Sequence, residues 1–207
     1  MNVESVCYVC GKMSEQMVLV STNQFGYPDL DLRPPEMERS TMDWWIEECP
    51  HCGYVAPDLS EKTAITKEWL NNGQYISCDG RNFASTLAER FYKHYLISSA
   101  NADNQAAFYA VLHAAWASDD AEDIVNAIYS RKKALELFPK LVFANDKEET
   151  YLLMRADLLR RTGQFDLLIK EYEKKTFSDE LINKIAAFQV EKAKRRDTAC
   201  YTVADVM

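Results

Sequence analysis

Cys49-Pro50-His51-Cys52-Gly53, read together with Cys7-Tyr8-Val9-Cys10-Gly11, decides how this chain is built. Each stretch holds two thiols at Cys-x-x-Cys spacing and closes on a glycine. That spacing suits a tight turn aiming both sulfurs at one ion. The glycine can take φ > 0, which lets a backbone N–H turn toward a metal-bound sulfur. Two such knuckles, at Cys7, Cys10, Cys49 and Cys52, make a four-thiolate tetrahedral site of the kind zinc accepts, with Zn–S near ~2.3 Å. The segment between them exceeds the compact-ribbon template of about 15–20 residues. It must therefore hold strands plus an excursion.

Three other readings of the thiols are weighed against zinc. The chain opens Met1-Asn2-Val3-Glu4-Ser5 with no apolar leader, so a reducing cytoplasm is expected, where stable disulfides do not persist. A redox dithiol predicts one pair beside a βαβ pattern rather than two pairs. Iron stays open, because paired Cys-x-x-Cys-Gly knuckles also resemble rubredoxin. His51 lies inside the second knuckle, but four thiolates already complete a structural site, so it reads as a solvent-facing turn residue. Cys78 and Cys200 have no nearby Cys or His in sequence and read as ordinary thiols.

Charge narrows the function classes. The 207-residue chain carries −8. Residues 1–60 hold only Lys12, Arg33 and Arg39 as bases. Against them stand Glu4, Glu15, Asp29, Asp31, Glu36, Glu38, Asp43, Glu47, Glu48 and Asp58. Nucleic-acid binding by a ribbon leans on Lys and Arg neutralising phosphate, and this ribbon would repel it. No apolar run approaches the ~18 residues of a membrane span.

Between the knuckles, residues 17–22 read as a strand, 23–36 as an ordered Gly- and Pro-punctuated loop, and 44–48 as a short aromatic strand. One tryptophan of Trp44-Trp45 is expected over the metal site and the other toward the helical body. Within the loop, Asp29, Asp31, Arg33, Glu36 and Arg39 form the one other polar constellation. They make either a recognition loop for a basic or carboxylate partner, or a set of charges that pair among themselves and pin the loop. A metal-assisted hydrolase built on Asp29 and Asp31 would need further ligands, and His51, His94 and His113 are scattered.

Several of these residues, in order, resemble a bacterial family of uncharacterised proteins. They are Cys7 to Gly11, Ser21-Thr22-Asn23, Pro28-Asp29-Leu30-Asp31, Arg33-Pro34, Arg39-Ser40-Thr41-Met42, a tryptophan, and Cys49 to Tyr54. Members join a zinc-ribbon-like head to tetratricopeptide-like helices. The resemblance is dense over residues 7–54 and loose afterwards. It implies the architecture and the four-cysteine site, and it carries no activity.

From Leu59 the pattern turns helical. Helices are expected from Ser60 to about Leu70, over 81–98 and over 103–118. A fourth is expected from an Asp120 cap to Pro139, a fifth from an Asp146–Glu149 capping box to Gly163, and a short sixth around Phe165 to Tyr172. A seventh is expected from a Ser178 cap. Residues 108–139 resemble one tetratricopeptide unit through Ala115, Ala127, Ala134 and Pro139. Residues 149–175 resemble a second through Ala156, Gly163-Gln164-Phe165-Asp166 and Tyr172, with Leu168 and Lys175 departing from it. The basic run Lys192 to Arg196 suits a helix C-terminus.

The expected fold class is α+β: a zinc-ribbon-like domain at 1–58, then an all-α tetratricopeptide-like domain at 59–207. The expected function is a non-catalytic cytoplasmic adaptor that binds another protein, with one structural zinc ion. Alternatives are a rubredoxin-like iron electron-transfer protein and, behind it, a nucleic-acid-binding ribbon. No nucleophile, acid/base pair or phosphate loop is legible, so enzymatic activity stays an open question. Neither the partner nor the oligomeric state can be read.

Overall fold

The computed structural model describes residues 1–143 and 147–207. The fold is α+β, with two small antiparallel hairpins followed by helices. The first hairpin pairs β1 (Asn2–Val6) with β2 (Met13–Met17), and the second pairs β3 (Glu47–Glu48) with β4 (Val55–Ala56). Among the described residues the helices are α1 (Lys67–Leu70), α2 (Gly73–Ile76), α3 (Thr86–Ala100), α4 (Asn104–Asp120), α5 (Ile124–Leu137), α6 (Glu148–Arg161), α7 (Phe165–Tyr172) and α8 (Glu180–Lys194).

By contact, the chain forms two compact units, residues 1–23 with 40–130 and residues 24–39 with 131–207. This division cuts within α5 and is drawn differently from a boundary at residue 58. The first unit contains both hairpins and the α3–α4 pair. Ala88, Phe91 and Tyr92 of α3 are buried, as are Phe108, Val111 and Leu112 of α4. Ala107, Ala110, Ala114, Ala115 and Ala117 are buried too, so α4 is apolar around most of its circumference.

The second unit packs α6, α7 and α8 through Leu153, Ala156, Leu159, Phe165, Leu168, Ile185 and Val190. Leu30, from the segment between the knuckles, is buried in the same cluster. That segment is tied to the C-terminal residues by backbone bonds from Leu30 N–H to the Tyr201 carbonyl (2.9 Å) and from Val203 N–H to the Pro28 carbonyl (3.0 Å).

Several sequence boundaries shift, each for a local reason. The helix expected from Ser60 begins at Lys67. Ser60 donates through both its N–H and its hydroxyl to the Asp58 carboxylate, at 2.8 and 2.7 Å, so the chain turns there instead. Thr66 is the cap, accepting from Trp69 N–H. The strand expected at 17–22 lies at Met13–Met17, because the pairing ends at Asn2↔Met17. Trp44 closes a 3₁₀ helix, Glu38–Trp44, so only Glu47–Glu48 of its run is extended. The second expected helix starts at Thr86, behind its Ser85 cap.

Caps are displaced as well. Asp120 lies inside α4, and Asp123 caps α5 by accepting from Asn126 N–H. Asp179 rather than Ser178 caps α8, while Ser178 donates to the Glu149 carboxylate. Asp146, half of the expected capping box, lies outside the described residues.

The helix ends share one device. Behind α3, α4, α6 and α8, a residue in the left-handed region lets the next N–H reach back to a carbonyl five residues earlier. These bonds run from Asp103 to Ser98, Asp123 to Ser118, Gln164 to Leu159 and Asp197 to Lys192, at 2.8 to 3.0 Å. Only α6 uses glycine, Gly163. Ala102, Glu122 and Arg196 take φ of 55 to 58° in the others, each at a cost of about 1 kcal/mol relative to glycine.

Arg160 is fully buried in the second unit and uses four of its five guanidinium N–H groups. It donates to Gln189 Oε1 (2.7 Å), Asp157 Oδ1 (2.5 Å), and the Asp197 and Ala199 carbonyls (3.0 and 2.7 Å). Removing it alone strands the buried Asp157, whose carboxyl burial already pushes up against the pull of Arg160. Arg160→Met is expected to lower stability by about 3–5 kcal/mol. Arg160→Met with Asp157→Leu should lose less than the single variant, measured by urea unfolding; an equal or larger loss contradicts the pairing.

Candidate metal centre

The two knuckles are built alike. Each tips a hairpin, residues 7–12 between Val6 and Met13 and residues 49–54 between Glu48 and Val55. In the first, Cys7 N–H donates to the Lys12 carbonyl (3.0 Å) and Gly11 N–H to the Cys7 carbonyl (2.8 Å). In the second, Cys49 N–H donates to the Tyr54 carbonyl (2.8 Å) and Gly53 N–H to the Cys49 carbonyl (2.9 Å). Gly11 and Gly53 sit at φ +70° and +71°, so a side chain at either would strain the turn.

These twin turns bring the four sulfurs together. Their Sγ atoms all lie within 4.8 Å of one another. Cys7 and Cys52 are 3.7 Å apart across the knuckles, and Cys10 and Cys49 are 3.6 Å apart. Tetrahedral thiolates at ~2.3 Å from one ion stand about 3.8 Å apart, so these cross-knuckle separations fit a four-sulfur metal site. All four are free thiols rather than disulfides. Among the described residues, no other group of three or more His, Cys, Asp or Glu is placed to hold an ion.

The backbone feeds the sulfurs. Val9 and Cys10 N–H groups serve Cys7, Lys12 N–H serves Cys10, and Tyr54 N–H serves Cys52. The donors beyond each glycine are thus Lys12 and Tyr54, which its left-handed turn swings inward. Burial pushes the Cys7 and Cys52 thiols up. At Cys10 burial acts the same way, but the Lys12 N–H and the neighbouring thiols bring it down to about 7. A cation at the cluster would offset the burial that holds the Cys7 and Cys52 thiols up.

Three residues lock the knuckles in place, and sequence reasoning missed them. Leu59, fully buried, accepts from Tyr8 N–H at 2.8 Å and donates its own N–H to the Glu47 carboxylate at 3.1 Å. Glu47 counted only as one acid among ten, yet it is buried, and burial pushes its carboxyl up. Tyr75 of α2 donates its hydroxyl to the Gly53 carbonyl at 2.5 Å. An acid in an aromatic run was the available hint for Glu47; nothing in the sequence marked Tyr75.

The remaining candidates lie elsewhere. His51 is exposed, with Nε2 3.2 Å from the Met13 carbonyl, and it is not part of the sulfur cluster. Trp45 packs edge-on against His113 of α4. Cys78 is buried. Cys200 is exposed, and its Sγ donates to Asp29 Oδ2 at 3.3 Å.

The five charged loop residues belong to the second unit. Asp29, Asp31 and Arg33 are buried. Arg39 pairs with Asp29 at 2.5 Å, while Asp31 pairs with Arg131 at 3.3 Å and Arg161 at 3.6 Å. Glu36 is exposed. Aspartates spent in this way on arginines of the same unit do not face solvent.

Cys49→Ser is expected to loosen both hairpins, because each is too short to hold without its sulfurs. Amide exchange at Tyr8, Gly53 and Tyr54 should rise at least tenfold, while the α6–α8 amides stay protected. Unchanged protection at the knuckles would show that the hairpins stand without the cluster. Comparison of the chain with protein-family models, with curated proteins and with solved structures gave no significant match.

Proposed function

We propose that the cysteine cluster holds one structural zinc ion and that the protein is a non-catalytic cytoplasmic adaptor for another protein. The convergence of four sulfurs from two matched knuckles carries the metal part. A closed set of four protein thiolates leaves no coordination position for water or substrate, as in structural rather than catalytic zinc sites. Zinc would supply the folding energy that such short hairpins lack. Membership in the bacterial family that residues 7–54 resemble belongs to the same proposal.

The adaptor part is supported by the packing of α3 on α4 and of α6, α7 and α8 on one another, and by the absence of a legible catalytic set. The ten acids against three bases in residues 1–60 weigh against a nucleic-acid partner. Among the described residues, no helix is long and apolar enough to cross a membrane.

One observation favours a second reading, electron transfer by iron. The N–H groups of Val9, Cys10, Lys12 and Tyr54 serve three of the four sulfurs, and hydrogen bonds to sulfur are one means by which proteins tune iron centres. Elemental analysis of protein from iron-replete cells separates the two. About one zinc per chain and a colourless solution are expected. About one iron per chain, with thiolate-to-iron absorption in the visible, would replace zinc with the redox reading. For the adaptor, affinity capture from native lysate that recovers no partner above background defeats it.

A further inference from the structure

The bonding pattern of the β1–β2 hairpin fixes which backbone groups point away from it. Cys7 N–H donates to the Lys12 carbonyl (3.0 Å), and Met1 and Val18 exchange two bonds of 3.0 Å. Between them the register is Val3↔Gln16 and Ser5↔Ser14. The odd residues of β1 therefore bond to β2, and Asn2, Glu4 and Val6 turn their N–H and C=O groups to the outer edge. Tyr8, next in that even series, donates its N–H to the Leu59 carbonyl at 2.8 Å. The chain thus pairs once with its own edge. Among the described residues no backbone bond carries that pairing on to Val6, Glu4 or Asn2. On the opposite edge, along β2, His51 Nε2 stands 3.2 Å from the Met13 carbonyl.

The same alternation sorts the side chains. Ser5 is buried, and Gln16 on that face reaches the Glu48 carbonyl. On the other face, Asn2, Glu4, Val6, Met13, Glu15 and Met17 are all exposed. They form three cross-strand rows: Val6 with Met13, Glu4 with Glu15, and Asn2 with Met17. These are the pairs without mutual backbone bonds, whose side chains stand closest. Like charges so placed destabilise a ribbon. Among the described residues neither carboxylate is engaged in an ion pair or hydrogen bond. Lys12, opposite Cys7, and the Met1 ammonium, bonded to the Val18 carbonyl, belong to the other set of pairs.

An open edge is a template for another strand, and charge decides which strand fits. A second copy pairing edge to edge about Glu4 would bring two glutamate rows together, so self-pairing is opposed. A foreign strand with a cation beside Glu4 relieves the repulsion. The edge and its carboxylates are solvated in the free chain, so ladder, charge and apolar rows must act together.

We propose that the outer edge of β1 takes up an extended segment of a partner protein as a third, antiparallel strand. An arginine or lysine of that segment lies beside Glu4. Aliphatic residues two positions to either side extend the rows of Val6 with Met13 and of Asn2 with Met17. The proposal rests on the adaptor reading and supplies the chemistry of the partner.

The probe is acetyl-Thr-Val-Thr-Arg-Thr-Val-Thr-amide, titrated into the metal-replete full chain at low ionic strength with amide exchange as the readout. A Kd of about 0.5 mM is expected. At roughly ten times that concentration, exchange at Glu4 and Val6 should slow about tenfold, while Glu15 and Met17 on the other edge stay unchanged. The same peptide N-methylated at its arginine and valines keeps its charge and side chains, loses its ladder donors, and should leave β1 unprotected. Glu4→Lys is expected to weaken the arginine peptide about fivefold and to favour a peptide with glutamate in its place. No binding at that concentration, equal binding of the N-methylated peptide, protection confined to β2, unchanged affinity in Glu4→Lys, or a dimer of the chain paired through β1 overturns the proposal. A partner captured from lysate that leaves the β1 amides unprotected overturns this edge and spares the adaptor reading. Protection by the peptide with no partner captured supports the edge and defeats that reading.

Discussion

The convergence of Cys7, Cys10, Cys49 and Cys52 on one point is the constraint from which the N-terminal structure follows. Neither hairpin has the means to stand alone. β3 and β4 are two residues each, and β1 and β2 bury little, leaving Val6, Met13 and Met17 largely exposed. Isolated two-stranded ribbons are marginal in water. β4 is buried through Val55 and Ala56, and the sulfurs join the more exposed first ribbon to it, with the backbone around them arranged to that end. Gly11 and Gly53 take the same left-handed turn. Leu59 stitches the first knuckle to Glu47 of the second hairpin, and Tyr75 anchors the far side of that hairpin at Gly53.

A second consequence lies in the chain between the knuckles. It leaves the first unit after Asn23, contributes residues 24–39 to the second, and returns at Ser40. Leu30 enters the apolar cluster of α6, α7 and α8. Asp29 and Asp31, on either side of it, enter with arginine partners, because a carboxylate carried into a core with Leu30 needs a counter-charge. The segment and the C-terminal residues 201–203 also hydrogen-bond through their backbones. Arg160 fixes the chain just before those residues by donating to the Asp197 and Ala199 carbonyls.

Legibility from sequence varied with the range of the interaction. The long helices were readable, since Phe91 on α3 and Phe108, Val111 and Leu112 on α4 repeat at helical spacing and are buried, whereas the short α2 was not expected. Boundaries were less so. Ser60 and Ser178 looked like caps by residue type, but each bonds to a nearby or distant carboxylate instead, Asp58 and Glu149. Helix stops were legible at Gly163 and hidden at Ala102, Glu122 and Arg196. Those three adopt the same left-handed turn without the residue that announces it.

The sequence by itself determined which four cysteines converge, the α+β class and the order of the long helices. All of these are written in local spacing: two thiols per tight turn, a glycine behind them, apolar residues at helical period. Tertiary structure alone decided which unit the 24–39 segment joins, why its aspartates are buried, and how Tyr75 and Glu47 support the knuckles. Those outcomes join residues tens of positions apart, and Asp31 to Arg131 spans a hundred. Charge pairs and hydrogen bonds depend on where side chains meet in space, and no one-dimensional period records that.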